Sequence, residues 1–201
     1  IRSVLYIWQG GMESGNAVAD VLSGKVSPSG KLTDTIACSL ADYPAANDFG
    51  DNVRNFYTED IYVGYRYFET FCPEKVMYEF GFGLSYSKFD IEILKAETVT
   101  EESKVGGAWG SHGVSIDNGT CAGKEVQITI CVKNTGDCRG KEVVQVYVQA
   151  PQGKLGKPAR ELKAFAKTKE LAPGEKQKMT LHIPVKNLAS YDDSGVAGHK
   201  S

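Results

Sequence analysis

Histidine is scarce in this chain of 201 residues, and its three copies, His112, His182 and His199, lie far apart. None has a second histidine or a cysteine at ligand spacing, so no metal site is expected. The five cysteines (Cys38, Cys72, Cys121, Cys131, Cys138) form no C-x-x-C pair. Their odd number favours reduced thiols, and with them a cytoplasmic setting, over a disulfide framework. Cys131 and Cys138 flank an expected hairpin turn, and in an exported protein they would be placed to pair. Gly10-Gly11 lacks the G-K-[ST] ending of a phosphate loop, so no nucleotide cofactor is expected. Basic residues number 23 and acidic residues 25, a net charge of 23 − 25 = −2. That balance offers no concentrated basic surface for nucleic acid or an anionic membrane. No apolar run approaches the roughly 20 residues needed to span a bilayer. An initiator methionine is also missing. The chain opens inside the apolar run Val4-Leu5-Tyr6-Ile7-Trp8, which reads as a cut through a longer polypeptide.

What is present is an ordinary globular composition, 41% hydrophobic and 24% charged. Ile1 to Trp8 reads as a buried strand. A glycine-rich turn follows, with N-cap chemistry at Ser14 and Asn16 and an apolar stripe at Ala17, Val18, Val21 and Leu22 in helical spacing. Gly24 stands where a helix C-cap is expected, and Lys31 to Ala37 returns as a short strand. This is a strand–helix–strand unit of α/β type. Ser39 to Asn55 is polar and reads as a surface loop. Phe56 to Phe71 crowds aromatics around Glu59, Asp60, Arg66 and Glu69, and Tyr78 to Tyr86 interleaves glycines with aromatics as extended, packed chain.

Beyond Phe89 the period becomes two. Val126, Ile128, Ile130 and Val132 alternate with polar neighbours, as do Val144, Val146 and Val148, and later Met179, Leu181 and Ile183. Glu161 to Lys167 is a further strand. Asn134-Thr135-Gly136-Asp137 and Leu171-Ala172-Pro173-Gly174-Glu175 carry turn chemistry, the second with Pro before Gly as a type II turn prefers. Short strands separated by turns predict an antiparallel sandwich of immunoglobulin or fibronectin type III kind. Glu101 to Thr120, with Trp109 in it, reads as a long loop. The expected class is α+β overall: a partial α/β sandwich segment (1–38), an aromatic-rich interface segment (39–89), and an all-β fibronectin type III-like, immunoglobulin-like sandwich (90–201).

Five ordered motifs sharpen this. Gly11-Met12-Glu13-Ser14-Gly15-Asn16-Ala17-Val18-Ala19-Asp20-Val21-Leu22-Ser23-Gly24, continuing to Pro28-Ser29-Gly30-Lys31-Leu32, resembles a signature of family 3 glycoside hydrolases of β-glucosidase type. Tyr62-Val63-Gly64-Tyr65-Arg66-Tyr67 and Phe80-Gly81-Phe82-Gly83-Leu84-Ser85-Tyr86 resemble two further segments of that family in the same order. Val132 to Gly136 with Gly140 to Val148, and then Arg160 to Phe165 with Leu171 to Glu175, resemble its fibronectin type III-like domain. The resemblance implies an (α/β)8-type barrel, an α/β sandwich and the fibronectin-like domain in one enzyme. It also implies a retaining reaction by an Asp nucleophile from the barrel and a Glu acid/base from the sandwich domain. In the family's usual order both lie upstream of Ile1; in members with the sandwich first, the barrel follows instead. The resemblance further implies a last sandwich strand after Tyr191-Asp192-Asp193 that is missing here or supplied by another fragment.

That chemistry needs two carboxyls about 5–5.5 Å apart, one of them protonated. Glu59 is the candidate catalytic residue, but beside Asp60 in an extended segment the two would point to opposite faces, and a partnership with Arg66 fits better. Glu13, at a helix N-terminus, is held ionised by the helix dipole, the wrong direction for a general acid. Phe56, Tyr57, Tyr62, Tyr65 and Tyr67 suit packing at an interface more than a sugar face. Trp8, at a strand end in an α/β unit, is the candidate substrate contact at a cleft rim. The expectation is therefore a non-catalytic, by itself inactive part of a glycosidase acting on β-linked glucosides or related sugars. Its partners would be the barrel and the rest of the α/β sandwich, with contact to an oligosaccharide. The competing readings are a stand-alone carbohydrate-binding or adhesion module, and a structural spacer.

Overall fold

The computed structural model describes residues 3–48, 50, 53–100 and 124–192. The loop around Trp109, Cys121 and the residues after Asp192 lie outside the described residues.

Alternation of apolar and polar side chains from Phe89 onward produces two facing sheets. β3 (Phe89–Thr100), β4 (Lys124–Asn134) and β7 (Lys176–Pro184) form one antiparallel sheet in the order β3-β4-β7. β5 (Val143–Val148) and β6 (Glu161–Lys167) form the other. Register places Ile130 opposite Ile93 and Met179, and Ile128 opposite Ala96 and Leu181, so their side chains share the inward face. That face meets Val144, Val146, Ala164 and Ala166 from the second sheet, with Leu171 closing one end. Val126, Ile183 and Val185 extend the core toward Val148 and Leu188. The Pro173-Gly174 turn forms as its residues dictate, with Gly174 at φ 79° and the Glu175 amide donating to the Ala172 carbonyl at 2.9 Å.

Asn134 fixes the end of β4. Its side chain is buried and fully satisfied: Oδ1 accepts from Ser87 Oγ (2.6 Å) and the Gly136 amide (3.0 Å), while Nδ2 donates to the Cys138 and Leu171 carbonyls at 2.8 Å each. A Cβ at Gly136 would come within 2.4 Å of Ser87 Oγ, so the turn admits only glycine without rearrangement. Cys131 and Cys138 are free thiols, as are Cys38 and Cys72.

The first third departs from the expected unit. The helix forms as α1 (Ser14–Leu22), ended by Gly24 at φ 79°. Its N-cap, however, is Glu13, with no side-chain cap from Ser14 or Asn16. Asn16 instead donates its side-chain amide to the Glu13 carboxylate. The expected buried strand at the start is absent: Ser3 to Trp8 carries no strand pairing and is exposed throughout. A strand requires a hydrogen-bonded neighbour, and none lies alongside among the described residues. The return strand shrinks to β1 (Ile36–Ala37), which pairs with β2 (Val76–Tyr78).

The aromatic segment is also not extended. Residues 57–61 make turns, and Tyr65–Phe71 is a second helix, α2. Gly64 at φ 59° starts it, a backbone conformation that costs glycine least. Its one buried side chain, Phe68, packs on Ala37 and Cys72 and takes the edge of Tyr43 at 5.5 Å. Ser39 caps a short 3-10 turn at Leu40–Asp42 that places this tyrosine, within what the sequence suggested was plain loop.

Candidate functional site

Two surfaces have functional content. One is a seam between the aromatic segment and the outward face of β5 and β6; the other is an apolar face left open by the first third of the chain.

The seam is built from pairs far apart in sequence. Lys31 Nζ lies 2.8 Å from Glu142 Oε1 and donates to the Gly83 carbonyl at 3.2 Å. Gln145 Nε2 donates to the Gly81 carbonyl at 3.2 Å and its Oε1 accepts from the Tyr147 hydroxyl at 2.7 Å. Gly81 has φ 82°, and a Cβ there would strike the Gln145 side chain at 2.2 Å. Arg160 grips Glu69 with two parallel hydrogen bonds (2.5 and 2.6 Å) and lays its guanidinium over the Tyr147 ring, 4.9 Å from the centroid. From α2, Thr70 Oγ1 accepts from the Ala159 amide (2.9 Å) and the Tyr65 hydroxyl from the Leu162 amide (2.8 Å). Tyr65 itself packs between Phe80 and Tyr147, with centroids at 4.7 and 5.9 Å. Burial pushes the Tyr147 hydroxyl up to about 12, against a smaller opposing pull from Arg160.

This arrangement fastens; it is not built for hydrolysis. Glu69 is committed to Arg160, Glu142 to Lys31, and Glu161 to Arg66 (3.2 Å) and Lys163 (3.0 Å).

The candidates named from sequence separate cleanly. Glu59 sits in a turn, its carbonyl accepting from the Tyr62 amide at 2.8 Å, and Asp60 beside it has φ 49°. The premise of an extended segment is thus corrected, and so is the expected partner of Arg66, which is Glu161. Tyr65 and Tyr67 are packing residues, and Tyr62 sets its ring against Phe71 at 4.8 Å. Phe56 and Tyr57 face outward, Tyr57 being 87% exposed.

Trp8 is 61% exposed, has φ 50°, and presents its ring edge-on to Tyr6 at 5.0 Å. It belongs to the second surface, with Val4 (77% exposed), Leu5, Tyr6 and Ile7; Met12 and Leu22 are exposed as well. Five consecutive apolar side chains are thus exposed together, on a chain that also exposes Leu40, Val53 and Leu84.

Sequence reasoning missed the seam. Arg160, Gln145 and Glu142 stood within recognisable motifs, but nothing in their spacing from Glu69, Gly81 and Lys31 announces contact. The signal that was available is glycine at 81 and 83, where chain must approach chain closely.

Residues 1–86 match the Glycosyl hydrolase family 3 C-terminal domain, and residues 142–197 match the Fibronectin type III-like domain. The chain is 47% identical over 197 residues to a Beta-glucosidase of Ruminococcus albus, covering 98% of this chain and 18% of that protein. It is 50% identical to Beta-glucosidase A of Butyrivibrio fibrisolvens, covering 97% of this chain and 23% of that protein. Among solved structures, a beta-glucosidase from Paenibacillus barengoltzii superposes with a TM-score of 0.81 at 52% identity, over 96% of this chain and 19% of that one. The chain therefore spans only about a fifth of the length of these relatives. It belongs to glycosyl hydrolase family 3, as that family's C-terminal α/β domain segment joined to its fibronectin type III-like domain.

Proposed function

We propose that this chain is the non-catalytic C-terminal part of a retaining β-glucosidase that acts on β-linked glucosides or related sugars. Its work is to complete the α/β sandwich domain and to buttress it with the fibronectin-like module. Residues 1–38 supply the sandwich segment, 39–89 the interface, and 90–201 the module. The observation that carries this reading is the contrast between the open apolar face at Val4 to Trp8 and the seam at Lys31–Glu142 and Glu69–Arg160. The first calls for cover by further protein, namely the rest of the sandwich and the barrel; the second is already satisfied. Trp8 stands at the edge of the covered face and touches sugar at the cleft rim. Glu59 shapes a turn and takes no part in bond cleavage.

The module itself is proposed to take one more strand. Ile91 and Ile93 share the inward face with Val132 and Ile130 yet remain 49% and 67% exposed, against 0% and 2% for the latter pair. Strand side chains on a core face require a covering layer.

The test is turnover of an aryl β-glucoside by the purified 201-residue chain and by the whole gene product. Activity in the second and none in the first is expected; turnover by the isolated chain would overturn the reading. Saturable binding of a soluble β-glucan by the isolated chain in a calorimeter would favour a self-sufficient binding module instead.

A further inference from the structure

We draw no further inference here: the strongest candidate, the open inward face of β3 at Ile91 and Ile93, belongs to the completion of the sandwich already proposed, and nothing among the described residues shows what covers it.

Discussion

The opening run Val4 to Trp8 and the β-sandwich are both apolar sequence but keep it in opposite places. Val4, Leu5, Tyr6, Ile7 and Trp8 are as hydrophobic as any strand of the sandwich, yet all are exposed, while Ile130, Val132 and Ile183 are sealed. The difference is not composition but the presence of a facing layer. In the sandwich β4, β5, β6 and β7 find both a ladder partner and an opposing sheet, and only β3 keeps part of its inward face open at Ile91 and Ile93 among the described residues. The opening run finds neither among the described residues. One region buries its apolar side chains against its own strands; the other leaves them exposed.

Substitutions can sharpen that contrast. The largest effect is expected in the sandwich core. Ile130→Ala should cost about 3 kcal/mol in urea unfolding, as a buried large-to-small change leaves a cavity. A loss under about 1 kcal/mol would mean that the two sheets are not packed as described. Next, Asp60→Val should cost about 1–2 kcal/mol, because a β-branched residue is poorly suited to the left-handed conformation at φ 49°. Asp60→Gly should be tolerated.

Arg160→Ala should cost about 1 kcal/mol, since the pair with Glu69 is partly solvated, and should loosen the seam more than the core. Hydrogen exchange would show this as faster exchange at the amides of Ala159 and Leu162 than at those of β4. The smallest effect belongs to the open face: Ile7→Ala should change the stability of the isolated chain by less than about 0.5 kcal/mol. In the whole protein the same change should cost more. Equal effects in both settings would remove the contrast.

Alkaline pH gives an independent probe of the seam. Tyr147 holds its proton more tightly folded than unfolded, because burial raises its folded value to about 12. Below the unfolded value, about 10, the hydroxyl is neutral in both states and costs nothing. Between these values the unfolded chain sheds the proton and the folded one does not, so stability falls as pH rises. Tyr147→Phe should flatten this fall in a pH series of melting curves. An unchanged slope would mean that the hydroxyl is not shielded.

Much of the sandwich was legible because each strand carries its own alternation, even though the strands that pair lie far apart in sequence, as Ile130 and Met179 do. Period-two alternation marked the strands at Val126, Val144 and Met179, and Pro173-Gly174 marked its turn. The sequence misled where local pattern and long-range partner disagree. Ser3 to Trp8 has strand chemistry but finds no ladder partner among the described residues, and the aromatic crowding of Phe56 to Phe71 does not by itself announce a helix. Its helix instead depends on Phe68 reaching a pocket formed by Ala37 and Cys72. The seam was hidden for the same reason: Glu69 and Arg160 are 91 positions apart, and no periodicity spans that distance. Family resemblance identified the segments that meet there without saying which side chains touch.

The clasp between residues 30–32 and 81–83 has a consequence of its own. The Leu32 amide donates to the Phe82 carbonyl and the Gly81 amide to the Leu32 carbonyl, both at 2.7 Å, and Gly83 presses against the Gly30 carbonyl. The chain in between leaves from and returns to this clasp, and is pinned a second time where Tyr65, Glu69 and Thr70 meet residues 159–162. Since closing a loop twice as long costs only about 0.6 kcal/mol more, peptide could be spliced into the outer turns near Ala46 with little penalty to the knot below. That makes the outer bend a natural place to graft a tag or a new recognition loop without disturbing how the two halves of the chain are joined.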